Sequence, residues 1–197
     1  MSEASPRIAT PAERAEALKS LLAEKQVLQN GLVRDSREAE QQWVSSNGAQ
    51  VVVRAWTDAA FRDRLLKDGK SAVEEMGFEL PKHHRHLVVL ENTPGVHNVI
   101  CCTQCSCTAF TIIGAAPGWY KDMEYRARIV REARTVLKEM GLELPASTEV
   151  RVWDTSADTR YMVLPMQPKE TKDWPREKLV DIVTQDSMIG VSRLPGT

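Results

Sequence analysis

Cysteine is scarce in this chain and confined to one place: Cys101, Cys102, Cys105 and Cys107 are the four among 197 residues. Thiols that crowded cannot staple distant parts of a secreted fold, so a disulfide framework is excluded. No apolar run approaches the ~20 residues that a membrane span needs, and no apolar leader is recognised; the expected compartment is the cytoplasm. An excess of charge is also missing. The 26 Lys and Arg face 27 Asp and Glu, a net charge of −1, so neither nucleic acid nor an anionic membrane is an expected partner. No internal repeat or low-complexity tract appears.

What is present reads as α+β, with helices and strands mixed but without regular βαβ alternation. Residues 1–46 are expected to form an N-terminal helical arm and linker, and 47–197 a metal-binding catalytic domain in a layered globule. Residues 1–9 lack periodicity and are expected to fray. Thr10-Pro11-Ala12-Glu13 then supplies an N-cap, a proline at the first helical position and a capping-box glutamate. Leu18, Leu21, Leu22 and Leu28 form a stripe beyond it, which suits an arm gripping a partner subunit. Gln29 to Ser46 reads as a polar link or weak helix. Asn47 to Gly77 is helical with a restart at Thr57 or Asp58 and a stop at Met76-Gly77. His86 to Leu90 is of strand length, Ile112 to Gly118 is irregular, and Lys121 to Met140 is a helix closed by Gly141. Glu149–Asp154 and Thr159–Leu164 flank Thr155-Ser156-Ala157-Asp158 and predict a hairpin-like pair. Pro175 opens a last helix to about Thr184.

The chemistry is concentrated in Cys102-Thr103-Gln104-Cys105-Ser106-Cys107. If the sulfurs of Cys105 and Cys107 bind one ion together with the backbone nitrogens of Ser106 and Cys107, the fused rings contain six, five and five atoms. The result is a nearly planar S-N-N-S chelate. Cys102 can fold over one face as a third thiolate, leaving the opposite octahedral position open, and an open position signals catalysis. Removing amide protons needs a strongly polarising ion, and this strong ligand field suits trivalent, low-spin cobalt or iron. Zinc would leave those protons in place.

These residues resemble the metal loop of the nitrile hydratase α subunit, whose pattern is V-C-[ST]-L-C-S-C. The likeness extends through Asn47-Gly48-Ala49, Arg54-Ala55-Trp56-Thr57-Asp58, Glu91-Asn92-Thr93-Pro94, Val96-His97-Asn98, Trp119-Tyr120-Lys121, Tyr125-Arg126, Arg151-Val152-Trp153-Asp154, Arg160 to Pro165 and Asp186 to Val191. The resemblance implies that Cys102, Cys105, Ser106 and Cys107 hold the metal, with Cys105 oxidised to sulfinic and Cys107 to sulfenic acid. Thr103 is typical of cobalt members, which puts cobalt ahead of iron. A β-type partner, or two shorter chains in its place, is implied to supply two arginines to the anionic centre. The reaction implied is hydration of a nitrile to its amide. The resemblance makes Cys105, Ser106 and Cys107 the expected catalytic residues, Ser106 placing water, with the attacking oxygen coming either from the metal or from the Cys107 sulfenate.

Two departures bear on substrate. Thr108-Ala109-Phe110 stands where many members have Tyr-Pro-Trp, and Gln104 replaces leucine. Smaller side chains predict a reshaped pocket for a bulky or heteroaromatic nitrile, with Phe110 and Trp119 as candidate lining. One rival is the γ subunit of thiocyanate hydrolase; another is a non-catalytic zinc-binding interaction protein with a fourth ligand such as His97. The plainer role for His97 is to hold the loop by hydrogen bonds. His83, His84 and His86 read as a polar loop before a strand, Cys101 as a small buried hydrophobe, and Arg126, Arg128, Arg131 and Arg134 as a solvated helix face.

Overall fold

The computed structural model describes residues 9–27, 38 and 40–197, so the expected frayed start and Leu28 lie outside the described residues. The chain forms two compact units, 1–42 and 43–197. In the first, helix α1 (Pro11–Glu24) begins as the sequence predicts. Thr10 accepts from the Glu13 backbone N–H, the Glu13 carboxylate accepts from Thr10 N, and Pro11 occupies the first turn. None of its residues is buried, and Leu18 and Leu21 are exposed.

The second unit opens with three consecutive helices, α2 (Ser45–Thr57), α3 (Ala59–Lys67) and α4 (Gly69–Glu75). Asp58 restarts the helix as expected, its carboxylate accepting from Phe61 N; Asp68 makes a second restart through Ser71 N. Gly77 leaves α4 with φ +85°, the left-handed conformation that glycine adopts at little cost. The buried face of α2, Val51, Val52, Val53 and Ala55, belongs to the core.

Strands β1 (His86–Glu91) and β2 (Val96–Cys101) follow, then short α5 (Phe110–Ile113) and long α6 (Met123–Glu139). After β3 (Glu149–Asp154) and β4 (Thr159–Leu164) come α7 (Arg176–Ile182) and α8 (Gln185–Ile189). The helix expected from Pro175 therefore ends earlier, and a capping box at Thr184 starts another.

The expected hairpin is corrected. β3 runs parallel to β2, with Val96 opposite Glu149 and Cys101 opposite Asp154; β4 runs parallel to β1, with His86 opposite Thr159. Thr155–Asp158 thus carries the chain from one ladder to the other. Four of the six residues of β4 and five of the six of β2 are buried, the near-continuous burial that parallel strands show when both faces are covered. Because β2 and β3 are in register, the start of the cysteine loop after Cys101 lies beside Asp154. No helix among the described residues is long and apolar enough to cross a membrane.

Candidate metal centre

The loop leaves β2 at Cys101 and is fixed from several sides. Asp154 accepts both the Thr103 backbone N–H, at 2.9 Å, and the Thr103 hydroxyl, at 2.5 Å. Tyr120 donates its hydroxyl to the Cys107 carbonyl at 3.2 Å, and Arg126 donates Nη1 to the Cys105 carbonyl at 2.8 Å. Tyr125 pins the strand behind the loop through its hydroxyl to Ile100 O at 3.0 Å. These backbone anchors converge the side chains: Cys102 and Cys105 Sγ are 3.2 Å apart, Cys105 and Cys107 Sγ 2.7 Å, and all three lie within 4.8 Å of one another.

Burial works against the Cys105 thiolate. Hydrogen bonds from the Cys107 and Cys102 thiols, and from the Cys107 and Ser106 amides, outweigh it and pull the pKa below the ordinary thiol value. Burial and the neighbouring Cys105 push Cys107 up to about 11, with the Arg160 guanidinium pulling the other way. Three sulfurs within 4.8 Å of one another, with the Ser106 and Cys107 amides beside Cys105, fit an ion that takes thiolates and backbone nitrogens. A structural zinc site would need a fourth side-chain ligand, and among the described residues the cluster holds Cys102, Cys105 and Cys107 alone. His97 is occupied elsewhere: Nε2 donates to Gly190 O at 2.7 Å and Nδ1 meets the Asn92 side-chain amide at 3.2 Å. Cys101 is fully buried and burial raises its thiol to about 12, so it stays protonated.

Beside the sulfurs opens a cavity of about 380 Å³, lined in part by Cys105, Ser106, Cys107, Phe110, His84 and Arg160. The structure thus brings Phe110 to the metal loop, its ring 4.2 Å from Trp43 and 5.1 Å from His84. Trp119 does not line this cavity. Its ring meets Tyr120 and Tyr125 edge-on at 5.8 and 5.1 Å, within an aromatic cluster under the loop. Ala109 is fully buried and caps α5, so it supports the wall from behind.

Two of these residues were not legible as site residues. His84 lies in a segment whose sequence reads as a polar loop, yet it is wholly buried, and neither ring nitrogen has a partner among the described residues. His83 and His86 are exposed, so the histidines do not form a cluster around an ion. Arg160, on β4, is 4 % exposed and donates to Ser156 O and Thr159 O, with Nε unpartnered among the described residues. It brings a positive charge from this chain itself. The arginines of α6 are also more than a solvated face. Arg128 bonds Glu124, Glu132 and Glu139, and Arg134 bonds the carbonyls of Leu144, Pro145 and Thr148.

Burial, then the charges of Arg160, His83 and Lys70, lower the His84 pKa from 6.5 to about 4. The unfolded chain binds this proton first as pH falls, so the native state loses stability between about 6.5 and 4. His84→Phe is expected to flatten that part of the stability profile, measured by denaturant titration at a series of pH values; an unchanged profile would remove His84 from the acid response.

Residues 9–192 match the family model described as nitrile hydratase, alpha chain. The nitrile hydratase α subunit of Rhodococcus sp is 47 % identical over 182 residues, covering 91 % of either chain. The cobalt-containing α subunit from Pseudonocardia thermophila is 43 % identical, covering 90 % of this chain and 88 % of its own. Among solved structures, a histidine-to-alanine double mutant of the Fe-type nitrile hydratase from Comamonas testosteroni Ni1 superposes with TM-score 0.89 at 55 % identity, covering 94 % of this chain and 92 % of that one. The thiocyanate hydrolase γ subunit of Thiobacillus thioparus is 38 % identical over 73 % of this chain and 63 % of its own.

Proposed function

The chain belongs to the nitrile hydratase α-chain family, and from that premise we propose that it is the metal-bearing subunit of an enzyme hydrating a nitrile to the amide. The single observation that carries this reading is the convergence of the Cys102, Cys105 and Cys107 sulfurs within 4.8 Å at the wall of a cavity of small-molecule size. The metal is a trivalent low-spin ion. Thr103 and the cobalt-containing relatives speak for cobalt, and the likeness to the Fe-type structure speaks for iron. Elemental analysis of the purified complex decides between them.

When bound, the ion supplies Lewis acidity, polarising the nitrile and acidifying water. The chain's own residues do the rest. Cys105 and Cys107, oxidised to sulfinic and sulfenic acid, present oxygens toward the reacting centre, and the Ser106 hydroxyl positions water. Arg160 and Lys121 make the cavity wall positive, which steadies the oxygen-rich anionic centre. His84 stays neutral at pH 7. Water adds across the triple bond, its oxygen passing to carbon and its hydrogens ending on nitrogen after tautomerisation. No net oxidation occurs.

A β-type partner, or two shorter chains, supplies further arginines and covers the exposed leucines of α1, and the complex works in the cytoplasm. Co-purification with such chains, followed by assay on a nitrile panel and on thiocyanate, tests the proposal. Nitrile turnover by the complex and none by the chain alone is expected; turnover confined to thiocyanate would transfer the reading to the γ-type relative.

Phe110 lines the cavity and Ala109 backs it, so Phe110→Trp combined with Ala109→Pro narrows the space. The double variant is expected to lose roughly 10–200-fold more kcat/KM on large heteroaromatic nitriles than on small aliphatic ones. Equal losses would mean that these positions support the loop and do not select substrate.

A further inference from the structure

We propose that Arg126 is the counter-charge of the metal loop, a positioning residue whose guanidinium holds the Cys105–Ser106 peptide in its anionic, metal-binding form. This rests on the reading above that the Ser106 nitrogen is a ligand. A peptide whose nitrogen has lost its proton to bind a metal does not keep the charge on nitrogen. The same resonance that makes the peptide planar spreads it onto the carbonyl oxygen. For the Ser106 nitrogen that oxygen belongs to Cys105, the atom to which Arg126 Nη1 donates at 2.8 Å. A hydrogen bond between a cation and an oxygen bearing charge is roughly twice as strong as a neutral one. The arrangement therefore favours the metallated loop over the free one.

The surroundings of Arg126 fit this role. Its neighbour Arg128, two positions on, is saturated by Glu124, Glu132 and Glu139. Arg126 has no carboxylate partner among the described residues. Its Nη2 lies against Met123 Sδ and its Nε is buried without a partner among the described residues, so its charge is directed at the loop. The base of α6 is fixed by the Asp122 cap on Glu124 N and by the Tyr125 hydroxyl on Ile100 O. The guanidinium is thereby carried to the loop by a rigid element that also holds the strand from which the loop springs. Lost outer partners of metal ligands typically cost 10–100-fold in affinity.

The test uses the metal-loaded complex. Arg126→Gln and Arg126→Met remove the charge, Arg126→Lys keeps it, and Arg128→Gln on the same helix controls for helix damage. Metal loss to an excess of chelator at fixed pH is followed with the sulfur-to-metal charge-transfer absorption. Both uncharged variants are expected to release metal roughly 10–100-fold faster and to show a moved absorption band, with Arg126→Lys close to the parent and Arg128→Gln unchanged. Should the glutamine variant fail to assemble, the methionine variant, which keeps the apolar stem, gives the same comparison. Parent-like release and an unmoved band in the uncharged variants would overturn the inference, as would a lysine variant no better than glutamine. A parent complex carrying zinc, with no charge-transfer band, would overturn the functional reading together with it.

Discussion

Cys105→Ala or Cys107→Ala is expected to abolish both nitrile turnover and metal retention, while Cys101→Ala leaves both close to the parent. In the proposed chelate each of the first two changes removes a terminal sulfur, so a rigid multidentate site would become a floppy one. Cys101 is a buried neighbour whose thiol stays protonated near neutral pH. Elemental analysis and single-substrate assay of the purified complex check the contrast. Mass spectrometry of the same mature parent should place two oxygens on Cys105, one on Cys107 and none on Cys102, since oxidation follows thiolate character and exposure. Exposure falls in that order, Cys105 being exposed, Cys107 half-buried and Cys102 buried. Fully active enzyme with three plain thiols would end the proposed chemistry.

Gly190→Ala should give the largest loss of stability away from the loop. Gly190 leaves α8 at φ +93°, where an L side chain is strained. A methyl group there would lie 2.0 Å from the Asn98 carbonyl oxygen and 2.9 Å from Val99 Cα, both in β2. Backbone, not a yielding side chain, is in the way. The same glycine carbonyl accepts from His97, so shifting it also breaks the tie that holds β2. The cost is expected to be at least about 3 kcal/mol, a drop in Tm of roughly 6–12 °C for a chain of this size. A shift below about 2 °C, on the same scale, would mean that α8 moves aside freely. Metal loading should fall as well, because β2 delivers the loop.

The loop was legible because its chemistry is covalent and local: ring sizes between Cys105 and Cys107 follow from the chain itself. Helix starts at Thr10 and Asp58 were legible for the same reason, a cap being a matter of three or four neighbouring residues. Strand partners were not. The alternation in Glu149–Asp154 and Thr159–Leu164 reports that one face is covered and is silent about the neighbour, so two parallel ladders passed for one hairpin. β2 is not legible because its burial is nearly continuous and its polar His97 and Asn98 are satisfied by Asn92 across the turn and by Gly190 and Trp153 far off in sequence. Arg160 and His84 reach the cavity from segments lying 53 residues beyond and 23 residues before Cys107, distances over which no periodicity carries information. Arg126 looked solvated because helical spacing cannot distinguish water from a backbone carbonyl as the partner.

The order of synthesis gives the parallel pairing a consequence in time. The ribosome makes the cysteine loop before any of the groups that shape it: Tyr120, Arg126, Asp154 and Arg160 all emerge later, and β2 has no ladder until Glu149–Asp154 exists. Until then the three thiols sit on a nascent chain with nothing to converge them. Non-local parallel pairing is also slow to form. Capture of the metal by the finished geometry therefore belongs after translation, and a nascent chain halted before residue 120 holds all of the sulfur ligands and none of the later groups that converge them.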